Sequence, residues 1–494
     1  MAQKFNFPTV TPESVGIPSI AVLEFLRFLR DRRVNLHSVL MVRNSKLAVE
    51  GYFAPYHKNR KHRMYSISKS FTAMGIGRMV TEGLLSLDEL IVDHFPDLVK
   101  EAGDEMHPWL KTATVEHLLR MAGTTLGSCY NAYDDPWLVR WFKKEPDHKP
   151  GTITVYDSMC TNLVCALMER KVGMPFLEYL RPVFKELDMF EDIWCIQTPE
   201  GYSWGAAGVM ATPMDLAKAT YLMLKEGQIN GKNLISRAYC REAITPRMAN
   251  SATNRSNETM QGYGYQIWGA RNNSFSFLGL GSQLALGIPG KDFVLAVTAD
   301  TLGTSADLPE ILQAFWWFVY SRLSDAPLPE DKENAAKIDE YFKNAKTQVV
   351  EGAHGSPTAA RVSGKTYRLQ PNPNGITQVR YELNEKGGVL HYVNERGQKS
   401  IAFGYGENVP GIFPEEHYFG KQMGRPKNAG YDITTSAAWT DENNLYTEVR
   451  LVDDHLGNLV INATFTGDEI TLLFNPMAEA IFAEYKGFCV GACE

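Results

Sequence analysis

Apolar residues in the first two thirds of the chain follow two different periods. In SIAVLEFLRFLRDRR (19–33) and CTNLVCALMERKVG (160–173) they recur every three or four positions, which predicts amphipathic helices. FTAMGIGRMVTEGLL (71–85) predicts a buried helix, and ADLPEILQAFWWFVYSRL (306–323) a mostly buried one. SVLMVRNSKLAVEGYF (38–53) is strand-like, and SFSFLGLGSQLALGIPGKDFVLAVTAD (274–300) predicts two strands joined at a Pro-Gly turn.

Near residue 325 the pattern changes. Residues 326–362 predict a charged helix and a polar linker. Beyond them come short β runs: KTYRLQ, TQVRYELN, GVLHYVN, TTSAAWT, LYTEVRLVD, LVINATF and EITLLFN. Turn groups such as NPNG, NEKGG, NERG, DENN and TGDE separate these runs, as in an antiparallel sandwich or barrel. The expected organisation is therefore a mixed helix-and-sheet domain over 1–325, a helix and linker over 326–362, and an all-β domain over 363–494. A chain of 494 residues exceeds what one core usually organises, which agrees with two domains.

Composition narrows the function classes. Hydrophobic residues at 44% and charged residues at 22% are the balance of an ordinary globular protein. A net charge of -7 without long runs argues against nucleic acid or an anionic membrane as partner. MAQKFNFPTV has no apolar stretch behind a basic start, and seven scattered cysteines fit reduced thiols, so a cytoplasmic location is expected. Cys489 and Cys493 share a spacing that could suit a metal or a disulfide, but no matching pair exists elsewhere, and free thiols are expected. The eleven histidines show no metal-binding spacing; His57 and His62 flank HKNRKHR, read as a solvated loop near the pocket. No metal and no cofactor is expected. SGKT (363–366) lacks the first glycine and the following helix of a phosphate loop, and no Gly-x-Ser-x-Gly elbow is present.

The candidate chemistry begins at YSISKS (65–70). Residues three apart share a helix face, so Ser66 and Lys69 meet at a helix start. A serine hydroxyl needs a base, and a lysine serves as one when burial lowers its pKa. A capping serine on a solvated helix start would explain the same residues. Two further elements follow in order: Tyr156-Asp157-Ser158 before an apolar helix, and FLGLGSQ (277–283). Together with TPESVGIPS, GLLSLDELIVDHFPDL, TVEHLLRMAGT, GAAGVMATPMDLAK and YGYQIWG, they resemble the serine penicillin-recognising superfamily over about residues 10–325. Within it the chain is similar to the class C β-lactamase-like branch, on the side of its esterase and 6-aminohexanoate-dimer-hydrolase members.

That resemblance implies an α+β fold, an antiparallel sheet flanked by helices, with a C-terminal lipocalin-like barrel. It also implies an acyl-enzyme on Ser66, with Lys69 as proton acceptor and Tyr156 as proton shuttle. The backbone N–H groups of Ser66 and Ser282 would form the oxyanion hole. Ser158 stands where the family often has asparagine, as a substrate contact. Gly279 and Gly281 would let substrate approach the strand, or Gly279 would mark only a bulge. DDPWLVRWFKK (134–144) is either a lid bringing Trp137 and Trp141 to substrate or a helix packing on the domain.

One departure shapes the substrate. In lactamases the third motif begins with a lysine that binds the substrate carboxylate; here Gly279 occupies the slot. A neutral ester or small amide is the expected small-molecule substrate. The alternative is a catalytically slow penicillin-binding-like sensor or binding protein, or a weak β-lactamase or D-aminopeptidase. The barrel would bury one face of the catalytic domain, support a homodimer, or send a loop into the pocket.

Overall fold

The computed structural model describes residues 5–124, 136–250, 256–303, 307–414, 431–452, 456–477 and 485–494. The chain partitions into two compact units, Met1–Thr301 with Ala306–Lys346, and Leu302–Ser305 with Thr347–Glu494.

The first unit is built on a six-stranded antiparallel sheet. Its strands in chain order are β1 (Leu36–Arg43), β2 (Lys46–Tyr52), β8 (Trp268–Ala270), β9 (Ser274–Gly279), β10 (Gln283–Ile288) and β11 (Phe293–Ala299), arranged β2-β1-β11-β10-β9-β8. Short strands outside this sheet form two small pairings, β3 (His62–Arg63), β4 (Trp194–Cys195) and β5 (Val209–Ala211) in one, β6 (Gln228–Ile229) and β7 (Lys232–Asn233) in the other. β1 and β2 turn at Asn44-Ser45, both with positive φ, the backbone that a two-residue hairpin requires.

Helices cover both faces of the sheet. The helices of this unit are α1 (Ser19–Asp31), α2 (Ser68–Thr81), α3 (Pro96–Ala102), α4 (Val115–Leu119), α5 (Leu138–Lys143), α6 (Ser158–Val172), α7 (Phe176–Glu186), α8 (Pro213–Leu224), α9 (Arg237–Ile244), α10 (Leu308–Ala314) and α11 (Lys332–Asn344), of which α2–α7 and α9 pack mainly on one another. Val22, Phe25, Leu26 and Leu29 of α1 share one core with Val39, Met41, Leu286, Leu295 and Val297, while α8 lies against β1, β10 and β11. Covering both faces explains why every residue of LHSVLMVR is buried although the sheet is antiparallel. After α10 the aromatic run Phe315–Val319 widens into a π turn, which leaves Trp317 exposed.

The stretch 274–300 forms three strands, not the expected two. The Pro-Gly turn at Pro289–Lys291 joins β10 to β11, and Leu280–Ser282 make a second turn between β9 and β10. Gly281 and Ser282 adopt φ of 70° and 67°, so this backbone cannot continue a strand.

The second unit opens with α12 (Pro357–Val362) and is otherwise β. Its strands are β12 (Thr366–Leu369), β13 (Gln378–Asn384), β14 (Gly387–Asn394), β15 (Gly397–Tyr405), β16 (Val409–Ile412), β17 (Asp432–Trp439), β18 (Asn444–Leu451), β19 (Asn458–Thr466), β20 (Glu469–Pro476) and β21 (Gly487–Cys493). Neighbours pair in the order β15-β14-β13-β12-β21-β20-β19-β18-β17, and β17 returns to β15, closing a nine-strand barrel; β16 pairs antiparallel with residues 432–435 of β17, on the same edge that β15 takes at Ser436 and Ala437. Alternating inward residues, among them Tyr367, Tyr381, Trp439, Leu445, Val449 and Phe465, fill the interior. Cys489 and Cys493 are both free thiols on β21.

Candidate active site

Ser66 lies in a single 3-10 turn, Tyr65–Ile67, that leads directly into α2. Tyr65, just before it, has a φ of 45°, unusual for a bulky side chain. The Arg63 guanidinium lies over the Tyr65 and Trp204 rings, 4.4 and 4.7 Å from their centroids, and its Nε donates to the Ala207 carbonyl at 2.9 Å. A buried cation and two rings thus hold the turn.

The polar residues of SISKS each meet a specific partner. The Ser68 hydroxyl accepts from the Val209 N–H at 2.9 Å, Ser70 donates to the Gln266 carbonyl at 3.0 Å, and Thr72 donates to the Gly205 carbonyl at 3.1 Å. Lys69 Nζ donates to Ser66 Oγ at 3.1 Å and to the Ala206 carbonyl at 2.8 Å. A hydrophobic helix start would leave this backbone unpaired. GAAGV is therefore the strip along which α2 is stitched, and it carries the acceptor that aims Lys69.

Lys69 is 1% exposed. Burial pushes its pKa down to about 7 from 10.5, with the Asp157 carboxylate and then the Cys160 thiol pulling the other way. The ammonium sits 4.9 Å from the Tyr156 ring centroid. Tyr156 stacks on Trp268 at 5.2 Å and meets Tyr263 edge-on at 6.3 Å. Asp157, next in sequence, caps α6 by accepting from the Met159 N–H at 2.9 Å. Ser66, Lys69 and Tyr156 thus come together, from elements far apart in sequence.

The remaining candidates fall in varied places. Ser158 is the first residue of α6, half-buried. One turn further along α6, Asn162 is buried, and its Oδ1 accepts from the Ala206 N–H at 3.3 Å. Gly281 and Ser282 form the β9–β10 turn, where the Ser282 hydroxyl is tied to Thr301 Oγ1 at 2.7 Å and the Gln283 amide donates to the Ala299 carbonyl at 2.6 Å. A Cβ on Gly279 would lie 2.5 Å from the Met64 carbonyl oxygen, so the space this glycine leaves is taken by the backbone leading into the Ser66 turn.

Trp137 and Trp141 do not line an open cleft: both are 0% exposed. Trp137 packs edge-on against Trp204, Trp141 against Phe142, and the Glu200 carboxylate accepts from the Leu138 N–H at 2.7 Å. Asp134 and Asp135 of that stretch lie outside the described residues. His62 also departs from the solvated loop expected of it. On β3 it pairs with Ala211 of β5, lies 3.2 Å from His37 Nδ1, and burial pushes its pKa down to about 3, so it is neutral; His57 is exposed. Among the described residues no group of three His, Cys, Asp or Glu side chains could hold a metal ion.

Sequence reasoning missed Ala206, Asn162 and Gln266. Ala206 acts through its carbonyl and has no side-chain signature. Asn162 lies four residues after Ser158, on the same helix face, which is a signal that could have found it.

The Beta-lactamase family model matches residues 27–314, more than half of the chain. Over 295 residues the chain is 22% identical to a 6-aminohexanoate-dimer hydrolase of Paenarthrobacter ureafaciens, covering 53% of this chain and 70% of that protein. Among solved structures it is similar to a penicillin-binding protein homologue of Caulobacter crescentus, with a TM-score of 0.51 at 17% identity over 64% of this chain and 99% of that one. It is also similar to the octameric penicillin-binding protein homologue of Pyrococcus abyssi, with a TM-score of 0.47 at 16% identity over 96% and 99%.

Proposed function

This chain belongs to the β-lactamase family, and from that premise we propose that it is a serine hydrolase cleaving an ester or small amide through an acyl-enzyme on Ser66. The observation that carries the reading is the contact between Lys69 Nζ and Ser66 Oγ at 3.1 Å, made by a lysine whose pKa burial has brought to about 7. A base poised near neutral pH is what a serine nucleophile requires.

In the first half-reaction Lys69 takes the Ser66 proton as Oγ bonds to the substrate carbonyl carbon. The resulting oxyanion is held by the Ser66 and Ser282 backbone N–H groups. Tyr156, beside the lysine, relays that proton: its hydroxyl proton goes to the leaving alcohol or amine as the bond breaks, and the proton held by Lys69 replaces it. Water then attacks the acyl-enzyme by the reverse proton path, releasing the acid and restoring Ser66. The relative named as a 6-aminohexanoate-dimer hydrolase supports hydrolysis as the reaction class. Incubation with a fluorophosphonate followed by intact-mass and peptide mass spectrometry tests this: one adduct per chain, on Ser66, is expected. An unlabelled protein, or an adduct on another serine, would sink the reading.

The third motif sets the substrate preference. Met64 lies against Gly279, so a lysine cannot stand there without moving the nucleophile turn. A substrate carboxylate thus lacks the cation that lactamases offer, a contact worth roughly 1.5–3 kcal/mol, or about ten- to a hundredfold. Nitrocefin is expected to be hydrolysed with a kcat/KM at least about tenfold below that of short p-nitrophenyl esters. Equal efficiency on the two would contradict the argument.

A further inference from the structure

Gln266 sits in YGYQIWG, a segment that supplies none of the proton-transfer groups. It is 1% exposed and has a φ of 58°, a backbone conformation that residues with side chains adopt at a cost. Such a conformation persists only where the surroundings over-determine it. Here they do: the Gln266 carboxamide and backbone make five hydrogen bonds. Nε2 donates to the Leu118 and Leu119 carbonyls at 2.9 and 3.0 Å, and Oε1 accepts from Thr161 Oγ1 at 2.5 Å. Its backbone N–H donates to the Leu119 carbonyl at 2.9 Å, and its carbonyl accepts from Ser70 Oγ at 3.0 Å.

The partners are the telling part. Ser70 is the residue after Lys69 on α2, and Thr161 lies on α6, the helix that Tyr156 leads into. The same short segment carries Tyr263 and Trp268, which meet each other edge-on at 5.1 Å and flank the Tyr156 ring. The strained residue therefore ties together the helix bearing the base, the helix behind the shuttle, and the two rings that fix the shuttle's position.

Resting on the reaction proposed above, we infer that Gln266 is a positioning residue: it sets the Tyr156 ring against Lys69 through the Tyr263–Trp268 segment. Loss of the carboxamide lets that segment relax, and Tyr156 shifts from the base. A displacement of about 1 Å in such a site costs about a hundredfold in rate.

A double-mutant cycle with Tyr156→Phe tests this, read by single-turnover acylation of Ser66 with a p-nitrophenyl ester, with substrate affinity and thermal stability measured in parallel. Alone, Gln266→Met is expected to slow acylation about ten- to a hundredfold with substrate affinity unchanged. In the Tyr156→Phe background the same change is expected to alter the rate less than about threefold, while its effect on thermal stability is the same in both backgrounds. Additive rate losses would overturn the inference, because Gln266 would then support only the fold. Should Gln266→Met fail to fold, Thr161→Val removes one anchor alone and is judged by the same criterion. A wild-type protein that never acylates Ser66 would overturn the proposed reaction, and this inference with it; additive losses overturn the inference alone.

Discussion

Ser66→Ala protein is expected to be folded and inert, losing on the order of 10⁴–10⁶-fold of its turnover of short p-nitrophenyl esters. The change removes one half-buried hydroxyl, whose oxygen accepts from Lys69 Nζ. Lys69 keeps its bond to the Ala206 carbonyl, so its position does not depend on the serine. The turn is held by Arg63 stacked on Tyr65, which the substitution leaves untouched. Initial-rate assays beside circular dichroism decide the matter. A folded variant that retains wild-type turnover would show that Ser66 is not the nucleophile.

Lys69→Met is expected to separate catalysis from stability. In the proposed role of general base Lys69 supplies roughly 10²–10⁴-fold, so acylation is expected to fall by that amount. With a pKa of about 7, the lysine is charged below neutral pH and neutral above it. Wild-type acylation therefore rises with pH through about 7 and then levels, a limb belonging to Lys69 together with the adjacent Tyr156. The variant loses that limb. Stability moves the same way for a different reason. Burial lowers the folded pKa below the ordinary 10.5, so between about pH 7 and 10.5 the unfolded chain holds a proton that the folded one has released. The penalty for burying the charge is full below pH 7 and is relieved as pH climbs through that window. Relative to Lys69→Met, wild-type stability should rise by roughly 1.4 kcal/mol per pH unit above 7 and stay level below it. Denaturant titrations of both proteins from pH 6 to 9.5 check this; a parallel pair of curves would mean that Lys69 is not buried as a neutral amine.

What was legible in the sequence follows from where the information lies. Ser66 and Lys69 could be paired because a helix converts a three-residue spacing into proximity, and Tyr156 because an ordered set of motifs accompanied it. The continuous apolar run of SVLMVR and the period of SIAVLEFLRFLRD likewise carry their own elements. Trp137 and Trp141 could not be placed, since aromatic and charged residues side by side suit a lid and a packed helix equally, and only the tertiary partner Trp204 decides. His62 was averaged into its basic neighbours, although its pairing with Ala211 buries it. The turn at Leu280–Ser282 was hidden because a positive φ at Ser282 leaves no compositional mark. In the barrel, β15 and β21 escaped notice because GQKSIAFGY starts polar and GFCVGAC is rich in glycine. Ala206 was illegible for a simpler reason: its contribution is a carbonyl, which every residue possesses.

The barrel closes on an odd number of strands, and parity has a consequence. Strands that alternate in direction can complete a ring only in even number. With nine, two neighbours must run the same way, and the misfit falls between β15 and β17, whose parallel pairing spans only Gly404 with Ser436 and Tyr405 with Ala437. Elsewhere the ladders are longer, reaching from Leu459–Pro476 to Thr466–Glu469 between β19 and β20. The ring thus has a seam, and local opening should begin there, with amide protons along it exchanging before those of the long antiparallel ladders on the far side.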